Sequence, residues 1–359
     1  TWGRPRPYKY PTYIDWPDFK KWVTANRLDV ILFNEQQSWE IIFRTVRELD
    51  VVIGAYVDYY KKDSVRFFWL YDFLLCNTQR HYGVFKDHPN AFHIPWGTDI
   101  EVFSPKPRDE AFDGVVFFHS CGMGPGRKGT DILVRAFAKV RGAAKLIVHS
   151  QADPLEYPET VLAMERDPRI ELVTAEIGPP GLYHRGDVYV YPTRLEGIGL
   201  TMAEALACGL PVITTDSPPM SEFVIDGHNG FLAKVESFKT RADNYYWPMS
   251  ICDEDSLAAA MQRFVDDPKS VPEFRRRARE DAEARLDWKK NSAALPELIA
   301  GVNKLEKDVT PALECAARAF ERSMYPKPWW LFPARVFFLR HGGRAIQKSL
   351  KRMRFSNKP

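Results

Sequence analysis

The chain has 359 residues, 45% of them apolar and 27% charged, with a formal net charge of +3. That length supports about two domains with sizeable cores, and the composition is ordinary for a soluble globular protein; no signal peptide is visible, and the longest apolar stretch, "WWLFPARVFFL", is too short to cross a bilayer. Five cysteines, an odd number without paired spacing, argue against a disulfide framework or a zinc site and for a reducing compartment.

The opening "TWGRPRPYKYPTY" is rich in proline and tyrosine and reads as irregular. From residue 29 the pattern becomes strand, helix, strand: "DVILFN", a helix through "SWEIIFRTVREL", then "VVIGAYV". "FLLCN" and "AFHIPW" follow as further buried strands. Continuous apolar runs alternating with helices predict a parallel sheet covered on both faces. The polar, turn-rich "GTDIEVFSPKPRDEAFDG" is expected to join a first domain, residues 1–107, to a second, residues 108–315, with a tail over 316–359. The first domain offers only about four strands against the six of a full Rossmann-type sheet. Because the chain begins at Thr1 rather than Met, the simplest expectation is an incomplete N-terminal domain whose natural start is missing; the alternative is a shortened but complete one.

The second series is nearly complete. "GVVFFHS" is a strand, "TDILVRAFAKVRG" a helix stopped by Gly142, and "AKLIVHS" a strand. After a helical stretch come "RIELVTA", "DVYVYPT", a helix from Leu200 to Cys208 and "LPVITTD", a doubly wound α/β order. A polar and aromatic insertion, "ESFKTRADNYYWPMSI", precedes the helix "DSLAAAMQRFVDD". From Arg335 to Lys358 there are eight Lys/Arg and no acid, which leaves the remainder of the chain at −5. Within this tail Ile346, Leu350 and Met353 share one helical face, with Arg344, Lys348, Lys351 and Arg352 mostly opposite. Such a helix suits an anionic membrane surface, or packs back on the first domain with its basic face in water. No nucleic-acid module accompanies the charge.

The chemistry is expected at "RLEGIG", the turn between the strand "DVYVYP" and the helix from Leu200, because ligands of open α/β sheets bind beyond the carboxyl ends of the strands. Glycines let the backbone approach a ligand, and the free N–H groups of Ile198, Gly199, Leu200 and Thr201 at a helix's positive end suit a phosphate. Glu204, one turn into the helix, can accept from a ribose hydroxyl pair; Glu196, before it, is expected to project into a cleft and hold sugar hydroxyls. Either acid alone would be ordinary as a helix-dipole charge on a solvated face.

The Glu-x7-Glu spacing in "EGIGLTMAEALACGLPVITTD" resembles the signature of the retaining glycosyltransferases of family four (glycosyl transferases group 1), which have the GT-B fold. "FHIPWGTDIEVFSP", "RKGTDILVRAF" and "SEFVIDGHNGFL" are similar to further motifs of that family, in the same order. The resemblance implies two Rossmann-like, doubly wound domains facing a cleft. It implies that Lys128, with Arg127, neutralises the diphosphate of a nucleotide sugar, that Glu204 binds the ribose, and that Glu196 with Gly197, Ile198, Gly199, Leu200 and Thr201 contacts sugar and phosphates. The loop "VTAEIG", with Thr174 and Glu176, is the candidate for the nucleobase. The family often carries a histidine near the reacting sugar, for which Asp58 is the nearest counterpart; His119, ending "VVFFHS", either faces the donor or is structural. Two features depart from the family: no arginine directly follows the glycine after "VVFFHS", and no glycine-rich loop matches in residues 1–50.

The implied activity is transfer of a hexose from a nucleotide diphosphate sugar to an acceptor hydroxyl with retention, in polysaccharide, glycolipid or glycoconjugate synthesis. The donor is a substrate and no cofactor is expected. With Arg127, Lys128 and the helix end to supply positive charge, no metal is expected either. The acceptor would be a saccharide or a lipid-linked one, and the place cytoplasmic, peripheral at the inner face of a membrane. A nucleotide-sugar epimerase of the same fold, or a non-catalytic sugar-nucleotide-binding protein, are the alternatives. The sequence names neither base, sugar nor acceptor.

Overall fold

The structure, a computed structural model, describes residues 14–34, 38–108 and 110–324. The irregular opening and the basic segment 335–358, with its expected amphipathic helix, lie outside the described residues. In chain order the first elements are α1 (Trp16–Ala25), β1 (Val30–Asn34), α2 (Trp39–Glu48), β2 (Val52–Val57), β3 (Phe73–Cys76), α3 (Gln79–Phe85) and β4 (Ala91–His93). The second series runs β5 (Val115–Gly122), α4 (Thr130–Phe137), β6 (Ala144–Ser150), α5 (Pro158–Glu165), β7 (Ile170–Thr174), β8 (Val188–Tyr191), α6 (Leu200–Ala207), β9 (Val212–Thr215) and β10 (Gly230–Ala233). It is followed by β11 (Val235–Lys239), β12 (Met249–Cys252), α7 (Glu254–Asp266), α8 (Val271–Arg285), α9 (Trp288–Ser292), α10 (Leu295–Ala300) and α11 (Pro311–Met324). No helix among the described residues is long and apolar enough to cross a membrane.

The described residues group into two compact units, one of those up to residue 55, residues 63–72 and those from residue 303 on, the other of residues 56–62 and 73–302. The first unit is built on aromatic packing. Trp39, fully buried, meets the rings of Phe67 and Phe68 at 5.1 and 5.3 Å, and Phe320 of α11 reaches Phe67 at 5.8 Å. Asp72 is enclosed here yet satisfied: it accepts from the backbone N–H of Ile53 and of Leu305 and pairs with the equally enclosed Lys307. A buried carboxylate persists only when its charge and lone pairs are met in this way.

A four-stranded sheet has the order β1-β2-β3-β4. The larger sheet lies wholly in the second unit, in the order β10-β9-β8-β5-β6-β7, every pairing parallel. That is the doubly wound order, which reverses between β5 and β8. Its central strands are apolar on both faces because helices cover both: "VYVY" of β8 is buried throughout, with Tyr189 and Tyr191 stacked at 5.4 Å. α6 is apolar nearly all round, and its alanines allow close packing under α8. It ends at Gly209, with Pro211 two residues on. Gly209, at φ 72°, and Leu210 donate back to the carbonyls of Leu206 and Ala205, closing the last turn. The segment that reads as a linker is pinned at its start: Thr98 exchanges backbone hydrogen bonds with Leu286 and Trp288, and Arg279 binds the carbonyls of Ile100 and Phe103. The insertion forms the antiparallel pair β11–β12.

Candidate active site

Two loops meet at the reversal of strand order. One leaves β5 as "GMGPGRKG" and enters α4; the other leaves β8 as "PTRLEGIG" and enters α6. Gly129 fixes how close they come. Its φ is 71°, and a Cβ there would sit 2.0 Å from the carbonyl oxygen of Pro192, so only glycine fits. Arg194 fastens the pair from the other side: its N–H donates to the carbonyl of Arg127 at 2.9 Å, and its guanidinium grips Asp131 with bonds of 2.7 and 2.8 Å.

This clasp turns Lys128 onto the Glu196 turn. Oε1 of Glu196 accepts from Lys128 Nζ at 2.8 Å, Arg127 Nη1 at 3.0 Å, Thr193 Oγ1 at 2.6 Å and the Tyr191 hydroxyl at 3.0 Å. Lys128 also donates to the Tyr191 hydroxyl. The expectation that Glu196 projects into a cleft to hold sugar hydroxyls is therefore corrected: its side chain is only 7% exposed and already carries four donors. Burial works to raise its carboxyl, but Lys128 and Arg127 outweigh burial and hold it below the usual carboxylate range. Lys128, 13% exposed, is pulled below the ordinary lysine value by burial while Glu196 acts to keep it charged. Arg127 is about half exposed. The three groups together carry one net positive charge.

Both helices that begin at this place start on left-handed glycines, Gly129 for α4 and Gly199, at φ 93°, for α6, and no side chain caps either one. Met202 closes the first turn of α6 on the carbonyl of Gly199, which leaves the N–H groups of Leu200 and Thr201 without a cap at the positive end of a helix. Leu200 is exposed and Gly197, Ile198 and Thr201 are partly so. Glu204 lies one turn on. The Tyr183 hydroxyl donates to its Oε2, and burial raises its carboxyl.

Asp58 belongs beside this turn. A Cβ on Gly197 would sit 2.1 Å from Asp58 Oδ1, so the glycine is needed for the carboxylate's approach. Thr174 ends β7 at the same end of the sheet, two strands from β5. His149 Nε2 donates to the carbonyl of Ala175 at 2.9 Å, which ties the "VTAEIG" loop to β6; Glu176 is exposed beyond it. His119 has a different place. It is fully buried, with Nδ1 donating to the carbonyl of Val190 at 2.8 Å and Nε2 accepting from Thr130 Oγ1 at 2.9 Å. It anchors the start of α4 and has no surface to offer a substrate.

Sequence reasoning missed Arg80. Its guanidinium donates to the carbonyls of Glu196 at 2.6 Å and Pro218 at 2.7 Å and lies over the Trp247 ring at 5.1 Å. Glu222 holds it there by accepting the N–H groups of Gln79 and Arg80 at the start of α3. "CNTQRHYG" carries no periodicity that would single out an arginine, so no signal marked it. Glu222, by contrast, stands in the quoted "SEFVIDGHNG" motif.

The two sheets, the strand order and the glycine-started helices at the reversal define the GT-B fold. Residues 114–267 match the family described as Glycosyl transferases group 1. A GDP-mannose-dependent alpha-(1-6)-phosphatidylinositol monomannoside mannosyltransferase of Mycolicibacterium smegmatis is 28% identical over 230 residues, which are 58% of this chain and 56% of that protein. The chain thus spans little more than half the length of that relative. Among solved structures, a sucrose-phosphate synthase from Thermosynechococcus elongatus superposes with a TM-score of 0.65 at 19% identity, covering 82% of each chain. Anabaena HepE, in complex with UDP and glucose, superposes with a TM-score of 0.62 at 18% identity, covering 79% of this chain and 81% of that one.

Proposed function

We propose that the chain is a glycosyltransferase that moves a hexose from a nucleotide diphosphate sugar to an acceptor hydroxyl, with retention at the anomeric carbon. The observation that carries this reading is the pairing of an uncapped, glycine-started helix with Lys128 and Arg127 at the reversal of strand order. In this reading the diphosphate sits at the N–H groups of Leu200 and Thr201, and Arg127 and Lys128 hold the negative charge that grows on it as the bond to the sugar breaks. Oε1 of Glu204 accepts from the ribose hydroxyls, with Tyr183 fixing the carboxylate through Oε2. Glu196 acts through Lys128, holding the ammonium charged and in place, and Asp58 is the carboxylate nearest the reacting sugar. The loop over Thr174 and Glu176 lies where a base would extend. The reading needs no resident metal.

The names of the relatives favour sugar nucleotides as donors and lipid-linked or saccharide acceptors, and they leave the base open: one is GDP-mannose-dependent, another was solved with UDP. Polysaccharide, glycolipid or glycoconjugate synthesis at the cytoplasmic side of a membrane fits such acceptors. A thermal-shift panel of nucleoside diphosphates and their sugars tests the reading, followed by donor consumption with a labelled sugar. One nucleoside diphosphate is expected to raise the melting temperature in proportion to the logarithm of its concentration, a ligand at a hundred times its Kd adding about 2.7 kcal/mol. No shift from any nucleoside diphosphate would overturn the proposal.

A further inference from the structure

The hairpin insertion, which the proposed function leaves without a role, fastens the segment that carries Asp58. Asn244, at φ 57°, turns the loop between β11 and β12 so that three consecutive aromatics, Tyr245, Tyr246 and Trp247, face residues 58–60. The Tyr245 hydroxyl donates to the carbonyl of Asp58 at 2.9 Å, and the Tyr246 N–H to the carbonyl of Tyr60 at 3.0 Å. The rings of Tyr59 and Tyr245 stack at 5.2 Å with 11° between their planes, and the Tyr59 hydroxyl donates to Asp243 at 2.9 Å.

The third aromatic starts a chain with a fixed direction. An indole N–H can only donate. Trp247 Nε1 lies 2.8 Å from the Tyr60 hydroxyl, so that oxygen is the acceptor and its own proton must go elsewhere. The other partner is His81 Nδ1, at 2.9 Å. Burial keeps the Tyr60 phenol protonated, so it donates and His81 Nδ1 accepts. Burial, with Arg80 beside it, pushes His81 down to about 3, so the ring is neutral and its one proton sits on Nε2. Nε2 is shielded from water, is directed at the backbone of Gly197, and lies 3.9 Å from Asp58 Oδ1, beyond hydrogen-bond reach.

We propose that the insertion is a positioning element for the reaction: Trp247 orients Tyr60, Tyr60 selects the Nε2–H tautomer of His81, and that N–H, directed at the Gly197 backbone, steadies the turn against which the Asp58 carboxylate lies. His81 is thus a positioning residue, acting on the substrate only through Asp58. The inference rests on the proposed function for the role of Asp58, but the tautomer can be read without turnover.

The test uses the full chain labelled with nitrogen-15 in histidine, together with donor kinetics. The His81 ring is expected to show the Nε2–H tautomer, and Tyr60→Phe to abolish that preference. Gln places its amide N–H where Nε2–H stands, and Asn where Nδ1–H would. His81→Gln should therefore keep kcat within about threefold of wild type and His81→Asn should lose about tenfold or more, with the donor KM little changed in both, since small misplacements of a reacting group cost rate rather than binding. Should His81→Asn not fold, Tyr60→Phe carries the same kinetic expectation. An Nδ1–H tautomer in the wild type, or equal rates for the Gln and Asn variants, would overturn the proposal. If the wild type consumes no donor at all, the functional reading fails while the ring spectrum still decides the positioning chain.

Discussion

Lys128→Ala is expected to lower kcat/KM for the preferred donor by about a hundredfold or more, the scale of losing one group that stabilises developing negative charge. Lys128 is the buried member of the cation pair, and its Nζ is placed by Glu196 and Tyr191 and by the glycine that follows it. The fold should survive the change. Glu196 keeps Arg127, Thr193 and Tyr191 as donors, so no carboxylate is left buried without a partner, the case that destabilises most. Steady-state kinetics with the donor chosen by the thermal-shift panel, beside a melting curve of the variant, separate loss of chemistry from loss of structure. Turnover within a few-fold of wild type would remove Lys128 from the mechanism.

The second large effect is a loss of stability in mild acid. Burial pushes His81 down to about 3 and His119 down to about 4, from an ordinary value near 6.5. Below pH 6.5 the unfolded chain takes up protons that the folded chain refuses, so stability falls as the pH drops, and goes on falling until the folded values are reached. At pH 5 each histidine accounts for about 2 kcal/mol. Glu321 works the other way. Burial pushes its carboxyl up to about 6, so the folded state binds the extra proton between pH 6 and 4.5 and recovers about 1 kcal/mol at pH 5. Together these three groups contribute about 3 kcal/mol less stability at pH 5 than at pH 7, read from denaturant midpoints. A His119→Asn variant, which retains a donor for the Val190 carbonyl, should show a smaller difference. A stability independent of pH over this range would mean that both rings take up protons while folded.

Much of the fold was legible because apolar runs and glycines mark what this architecture requires. "GVVFFHS", "AKLIVHS", "DVYVYPT" and "LPVITTD" are strands of the large sheet, since a strand covered on both faces must be apolar throughout. The turn around Gly199 was visible for the same kind of reason: it has a backbone conformation that side chains disfavour. α8 was not visible. Its sequence, "VPEFRRRAREDAEAR", buries only Val271, Ala278 and Ala282 and is otherwise laced with arginine–glutamate pairs one turn apart, so it shows no apolar stripe. The hairpin of β11 and β12 was hidden because β11 is largely exposed and β12 buries a serine and a cysteine, Ser250 and Cys252, rather than strongly apolar side chains.

At the candidate site, residue types were easier to read than partners. The cluster of Lys128, Arg127 and Glu196 follows from motif and position, yet nothing in the spacing says that Glu196 faces Lys128 rather than open space. Tyr191 and Thr193, which complete its shell, read as parts of a strand and a turn. Arg80 and Trp247 act through contacts of 116 to 187 residues' separation, a range over which sequence pattern carries no information. His119 shows the converse: a polar residue ending a strand looks like a ligand until both ring nitrogens are found engaged within the core.

The account stands on a pyrophosphate held at the start of α6 with help from Lys128. Calorimetric titration of the wild type and of Lys128→Ala with one nucleoside, as its monophosphate and its diphosphate, measures this directly. The diphosphate should bind the wild type about tenfold more tightly or better, the worth of about 1.4 kcal/mol in charge-assisted contacts, and the variant should lose most of that advantage. Equal affinity for the two nucleotides in the wild type, or a diphosphate preference that survives in the variant, would contradict it.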